Sequence, residues 1–420
     1  MESGVSGVAA DDHEGQLREL EQGAASGMLK RTEFLKRAAV LGVGGIGAAN
    51  LFANTASAGT TVSARPQRSF NADRVGRINW SAALKNKTIA IPTYTFSDEN
   101  QQTLNQAIVD AAKAAGLNWK ILQTDTQASA QTAQTAMDAY IARGVDAIIL
   151  DVVPARFVSA QIDKAHKHKP RIPVFGIFSF SPLTLDVEYA GVLASDAVYL
   201  TEYMFIDQRI RHGAGPKDIK KIGILDTVVD VTAPRRAVID GYIGSPSYKD
   251  FKVVGSVNDV DPANVTTSAT RAVQALLTAH PDITAIWTNY PPLGIPAAQA
   301  VEQAGKQAQV KVYSHVAQSS GIKAVLSGKS AMVATSWVDL IYTSWGMVDS
   351  ILAYFAGKPY TQTHQWTSPV PTTAIDVARR NSPDIVKVNS GGNEIVNWVF
   401  QGGAWKADFL ARWKKQYNVG

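Results

Sequence analysis

The sequence of 420 residues contains no cysteine. That excludes disulfides, thiol chemistry, a thiolate metal site and a lipid-modified cysteine anchor. The apolar, uncharged run AAVLGVGGIGAANLF at 38–52 has 15 residues, short of the ~20 that a membrane-spanning helix needs. No P-loop, G-x-S-x-G or H-E-x-x-H is present, so the common sequence signatures of nucleotide, serine-hydrolase and zinc-protease chemistry are missing. A strong excess of either charge is also lacking: 41 Lys and Arg stand against 36 Asp and Glu, a net +5, and composition makes no case for nucleic acid. With 45% apolar and 18% charged residues the chain is globular rather than disordered, and its length suits two domains with additions.

What is there begins with an export signal. MLKRTEFLKR at 28–37 is basic, the apolar run follows, and Ala56-Ser57-Ala58 is a small-residue cleavage site. This is the three-part layout of a secretory signal, expected over residues 1–58 and removed on export. KRTEFLK resembles a degenerate twin-arginine signal, but Lys30 stands where the first arginine of the pair belongs, so the Tat and Sec routes both remain open. The acidic lead-in of residues 1–27 is long, and Met28 is an alternative start. Left uncleaved, the signal would tether the protein to the membrane. Gly42, Gly44 and Gly47 spell G-x-G-x-x-G, but they lie in the export core with no strand before them, and a dinucleotide fingerprint needs that context. Residues 59–86, with Arg65, Arg68, Arg74 and Arg77, read as a flexible basic linker that aids solubility.

From Lys87 the pattern turns regular. KTIAIPTYTF is an apolar strand, and ENQQTLNQAIVDAAKAAG an amphipathic helix stopped by Gly116. NWKILQTD is a strand, SAQTAQTAMDAYIARG a helix stopped by Gly144, and VDAIILDVV a strand buried on both faces. A helix, FVSAQIDKAHKHK, and a strand, IPVFGIF, complete the first series. A second series follows from AVYLTEYMFIDQRI through KIGILDT, APRRAVIDGYI, KVVGSV, TSATRAVQALLTA, ITAIWTN, GIPAAQAVEQAG and VKVYSHV. Strict alternation of strand and helix implies parallel βαβ units, here as two α/β lobes in tandem. The helix GAWKADFLARWKKQY near the end sets Trp405, Phe409, Trp413 and Tyr417 four residues apart on one face. Such a stripe docks a partner or buries against its own lobe, and the second is expected. His166 and His168 form H-x-H on an exposed helix end with no acid at metal-site spacing, a surface pair rather than a metal site.

LLTAHPDITAI, IARGVDAIILDV, RIPVFGI, APRRAVIDGY and IKAVLSGKSAMVAT, in this order, resemble the ribose-binding-protein group of type I periplasmic binding proteins, the soluble receptors of sugar ABC importers. The similarity covers about residues 87–373. It implies two Rossmann-like lobes with parallel sheets, joined by three hinge crossovers near 194–196, 335–338 and 366–372, with the ligand cleft between. The first lobe would comprise 87–194 and 338–370, the second 195–337 and 371–420 with the C-terminal helix. The protein would be monomeric, with no enzyme activity, cofactor or metal, and no nucleic acid. Its partners would be a small-molecule ligand and the permease of an ABC importer. Membrane contact would come only through that importer or an uncleaved signal, and the location would be the periplasm or the outer face of a bacterial envelope.

Carried over one position at a time, the family's first ligand-binding turn falls on Ser97, Asp98, Glu99, Asn100 and Gln101, with Tyr94 and Phe96 just before. The contacts continue at Phe178 and Ser179, Asp196, Arg236 in APRRAVIDGY, Tyr290, His315, and Ser336 with Trp337 beside it. Where the family has an asparagine-aspartate pair, this chain has Tyr290 and Pro291, and proline offers no side-chain acceptor. The expected polar ring is therefore thinned and the aromatic content raised. A sugar held by rearranged contacts fits, as does a compound with an anionic or aromatic part paired with Arg236. A cation caged by the aromatic rings is a third reading. Phe178 and Trp337 also read as hinge packing, Asp196 as a helix cap, Arg236 as the partner of Asp230 or Asp240, and His315 as a hydrogen-bonded strand end. Asp151 has a weaker claim on the cleft rim.

Overall fold

The computed structural model describes residues 80–179, 185–189, 193–215, 217–227, 232–261, 263–316, 318–336, 340–358, 363–364 and 404–419. The export signal, the linker before residue 80, the third crossover and Trp337 lie outside these residues.

A short helix α1 (Trp80–Leu84) precedes β1 (Thr88–Thr93), α2 (Glu99–Ala114), β2 (Lys120–Asp125), α3 (Ala130–Arg143) and β3 (Ala147–Asp151). Next come α4 (Ser159–Lys167), β4 (Val174–Ile177) and β5 (Val187–Tyr189). The second series comprises α5 (Leu193–His212), β6 (Lys220–Leu225), α6 (Ala233–Ile243), β7 (Phe251–Val257), α7 (Val265–Ala279) and β8 (Ala285–Thr288). It continues with α8 (Gly294–Gln303), β9 (Lys311–Ser314), α9 (Ser319–Ser327) and β10 (Met332–Thr335). The chain then returns through α10 (Leu340–Phe355) and β11 (Thr363–His364), and α11 (Ala404–Tyr417) follows.

Every strand pair is parallel. The two sheets run β11-β5-β4-β3-β1-β2 and β10-β9-β8-β6-β7. This is the α/β architecture of two parallel sheets expected from the alternation. The central strands β3, β4 and β8 are buried along their whole length, as helices on both faces of a parallel sheet require.

Helix ends follow local chemistry. Asp98 caps α2 by accepting from the Asn100 amide at 2.9 Å, and Ser129 caps α3. The α3 helix stops at Gly144 in a left-handed conformation (φ 66°), which costs glycine little. Gly294 serves differently. A β-carbon there would sit 2.5 Å from Ser314 Oγ, so α8 can pack on β9 only through a bare backbone.

The chain passes from the first sheet to the second between β5 and α5, and back between β10 and α10. Ala194–Asp196 thus lie within the first turn of α5 rather than in a connecting strand. The C-terminal helix packs on α10, which itself lies against α2 of the first lobe. Phe409, Trp413 and Tyr417 are buried; Trp413 stacks on Trp345 (centroids 5.5 Å, 13° between planes) and donates to Asp349 Oδ1 at 2.7 Å. The helix is therefore seated on the first lobe, not on the second as the sequence suggests. Its stripe meets the aromatic face of α10, a pairing between segments some sixty residues apart (|i−j| is 64 for Trp413 and Asp349). The side chain of Trp405 lies outside the described residues.

Candidate functional site

In open α/β sheets, ligands bind beyond the carboxyl ends of the strands where the winding direction reverses. In the first sheet β1 lies between β2 and β3; in the second, β6 lies between β7 and β8. The switch points therefore fall after β1 and β3 and after β6 and β8. The principal cavity gathers residues from these strand ends. The first lobe contributes Asp98, Asn100, Gln101, Leu104, Val152, Phe178 and Leu340; the second contributes Arg235, Tyr290, Pro291 and Val316. It spans about 400 Å³ including its open mouth, within the size range of small-molecule sites.

Asp98 is the polar centre. Its Oδ1 accepts from the Asn100 amide (2.9 Å) and from Gln318 Nε2 (2.8 Å); its Oδ2 accepts from Gln101 Nε2 and Tyr290 OH, both at 3.2 Å. Gln101 is fixed in turn, its Oε1 accepting from the Thr95 amide at 2.8 Å. Burial raises the Asp98 carboxyl above its ordinary range, and the four donors pull it partway back. Tyr290 is pushed well above the usual phenol range by burial and by the Asp98 charge beside it. Behind Asp98 lies Asp151, fully buried, with Thr93 and Asn105 beside its carboxylate. Burial, reinforced by Asp98, drives its carboxyl well upward, which favours the neutral acid.

Three cavity residues that directly follow strands or strand-end turns carry left-handed backbone: Val152 (φ 59°), Phe178 (φ 54°) and Val316 (φ 50°). Two are β-branched, for which this conformation is a real outlier. The amides of both β-branched residues are nonetheless satisfied: Val152 donates to Ile177 O and Val316 to Ser336 Oγ, both at 3.0 Å. Strained residues of this kind cluster at ligand clamps.

The arginine on the cavity is Arg235. It is 2% exposed, and its Nη1 donates to Asn289 O at 2.9 Å. Arg236, the sequence-based choice, points away; it bonds Ser256 Oγ and Asn258 Oδ1 (2.9 Å each) and pairs with Asp226 at 3.6 Å. A signal for this existed in the sequence. Val238 and Ile239 face the core, and only Arg235, three and four residues before them, shares their face of the helix.

Of the other residues singled out, Asp98, Phe178 and Tyr290 meet on the cavity. Tyr94 is buried in the first lobe, with its phenol pushed up to about 12 by burial. Phe96 is half-buried, and Ser97, exposed, shares a 2.8 Å hydrogen bond with Thr95. Ser179 turns inward and donates to Leu150 O at 3.2 Å. His315 is buried beneath the second-lobe wall: its Nδ1 pairs with Thr288 O at 2.6 Å, its ring meets Trp287 edge to face, and Nε2 has no partner. Burial and then the nearby Arg235 charge depress its pKa well below the ordinary value. Ser336 Oγ serves the backbone of Val316. The side chain of Asp196 lies outside the described residues. Asn100 and Gln101 of the first turn, Arg235, Pro291 and the apolar residues Leu104, Val152, Val316 and Leu340 complete the wall; of these, Arg235 and the four apolar residues are not singled out by the sequence. His166, read as a bare surface histidine, lies 3.0 Å from Asp186. That acid arrives from the segment before β5, outside any local motif. Among the described residues no three metal-ligating side chains gather, and no helix is long and apolar enough to cross a membrane.

Solved structures share this architecture. A carbohydrate transporter solute-binding protein from Agrobacterium radiobacter, in complex with D-arabinose, aligns with a TM-score of 0.59 at 15% identity, covering 72% of this chain and 98% of its own. An ABC transporter solute-binding protein from Actinobacillus succinogenes 130z, with bound D-allose, gives 0.58 at 19%, covering 70% and 99%. The periplasmic component of the arabinose ABC transporter from Shewanella sp. ANA-3 gives 0.56 at 20%, covering 66% and 89%. At these identities the likeness speaks for the fold. No match is found among curated proteins. The profile of the family described as periplasmic binding protein domain matches residues 89–359, and with two parallel sheets meeting at their switch points, the chain belongs to the periplasmic binding proteins.

Proposed function

We propose that the protein is an exported receptor that binds a small hydroxylated solute, a sugar or polyol, between its lobes and delivers it to the permease of an ABC importer. The carrying observation is the cavity itself, lined from both lobes at the two switch points, with a buried carboxylate (Asp98) on one side and a buried guanidinium (Arg235) on the other. A carboxylate accepts from ligand hydroxyls, a guanidinium donates to ring or hydroxyl oxygens, and Phe178 offers an apolar face. The bound D-allose and D-arabinose of the similar proteins, and the allitol of one from Agrobacterium vitis, support the same class. Arg235 on an otherwise apolar wall also suits a solute that carries one anionic group, such as a sugar acid. The export signal read in the sequence supports a location outside the cytoplasm, and lobe closure around the solute would be the form an importer reads.

Thermal denaturation with D-arabinose, D-allose, allitol and aldonic acids is the test. A true ligand at a hundred times its dissociation constant stabilises by about 2.7 kcal/mol, a rise of a few degrees in Tm. Absence of stabilisation by any hydroxylated solute, together with turnover of one of them, would sink the receptor reading.

A further inference from the structure

The cleft already holds a hydroxyl. Among the described residues that line the cavity, Asp98 is the one carboxylate, and an ionised carboxylate has about four acceptor positions. All are in use. Two donors, the Asn100 amide and Gln101 Nε2, come from the turn and helix that Asp98 caps; the other two, Tyr290 OH and Gln318 Nε2, come across from the second lobe. The local pair stays when the lobes part and the crossing pair leaves. Tyr290 is 3% exposed, and the bonds of its hydroxyl run to Asp98 and to Gln101 at 3.3 Å, both in the first lobe. Its ring is carried on the turn Pro291–Leu293, where two successive prolines fix φ and hold the ring's base. Asn100 Nδ2 adds a longer reach to Val316 O at 3.5 Å.

The geometry points to Tyr290 as a built-in surrogate for the ligand: its hydroxyl holds Asp98 across the cleft, so the unliganded lobes close on each other, and a solute binds by displacing that hydroxyl with one of its own. The displacement half rests on the receptor reading above; the latch itself does not. Tyr290 then determines specificity twice over. It demands a solute that can donate to Asp98, and it lowers apparent affinity by keeping most molecules shut. Affinity scales with the binding-competent fraction. Hydrogen bonds to a charged acceptor are among the stronger ones, so removing this one shifts the closed-to-open ratio by about tenfold.

The experiment uses the full mature chain, in which the lack of native cysteine lets Lys113→Cys in α2 and Lys323→Cys in α9, both exposed, carry spin labels on opposite lobes. Without any solute, the parent is expected to give a dominant short interlobe distance. Tyr290→Phe keeps the ring and its packing and is expected to raise the long-distance population about tenfold relative to the short one. Gln318→Met, which removes the other crossing donor, is expected to act in the same direction and serves if Tyr290→Phe folds poorly. Unchanged distance distributions in both variants overturn the latch. Titration with D-allose separates the second half: tighter binding by Tyr290→Phe than by the parent supports displacement, and weaker binding makes Tyr290 a ligand contact and overturns it. If no sugar or polyol binds any version, the receptor reading fails while the distance measurement still decides the latch.

Discussion

The neighbouring arginines give the sharpest prediction about ligand binding. Arg235→Met keeps an unbranched apolar stem but removes the guanidinium that lines the cavity and donates to Asn289 O at 2.9 Å. Bonds made by a charged donor in a buried site are worth about 1.5–3 kcal/mol, so affinity for whichever sugar, polyol or aldonic acid binds best should fall roughly ten- to a hundredfold. The same change leaves Asn289 O without its donor and should cost about 1–3 kcal/mol of stability, read in a urea melt beside the titration. Arg236→Ala is the contrasting control. Its partners Ser256, Asn258 and Asp226 sit away from the cavity, the side chain is 25% exposed, and such pairs contribute about 0–1 kcal/mol. Calorimetric titration should find its affinity within about twofold of the parent. If Arg236→Ala weakens binding as much as Arg235→Met does, or if Arg235→Met binds normally, the assignment from helix phase is refuted.

Trp413→Ala should destabilise by about 3–5 kcal/mol in urea melts, because it removes a fully buried ring stacked on Trp345 and orphans Asp349 Oδ1; a loss under 1 kcal/mol would mean that the C-terminal helix is not docked in solution. His315 is held neutral when folded, whereas the unfolded chain takes up a proton below about pH 6.5; the parent should therefore lose about 1.4 kcal/mol per pH unit below that value from this group. Asp98 and Asp151, raised by burial, act with the opposite sign and add stability as pH falls through their folded values. The test is thus the difference between parent and His315→Gln at pH 7.5 and pH 5: the variant should lack the histidine's share of the loss, and identical pH dependence would refute it. At Val316, with φ 50°, Val316→Gly should be at least as stable as Val316→Ala. A left-handed backbone costs a residue with a β-carbon about 1–2 kcal/mol that glycine escapes, reversing the usual order; an alanine variant more stable by 1 kcal/mol would remove the argument for strain there.

The fold was legible because its signals are local. Some helix ends rest on chemistry carried within a few residues, as Asp98 shows for α2 and Gly144 for α3, and the burial of β3 and β8 on both faces can be read from their unbroken apolar runs. Once parallel order is granted, the site's address follows as well: residues past the carboxyl ends of the strands lie on the cleft side, and Asp98, Phe178 and Tyr290 line the cavity there. Orientation beyond the strand end is another matter. Ser179 immediately follows Phe178, yet one turns to the backbone of Leu150 and the other to the cavity, a choice made by the left-handed φ at Phe178 rather than by residue type. Arg235 and Arg236 differ only in helix phase. Gln318 gave no signal, because its role depends on Asp98, 220 positions away in sequence. The same distinction explains why Tyr290 looked like a loss from the sequence. It stands where the family's asparagine is expected, with Pro291 at the position of the acid, and a linear reading sees a missing acceptor; across the cleft its hydroxyl meets an acceptor supplied by the opposite lobe. The polar ring was not simply thinned. Tyr290 turns its hydroxyl onto Asp98, so that the two lobes satisfy each other.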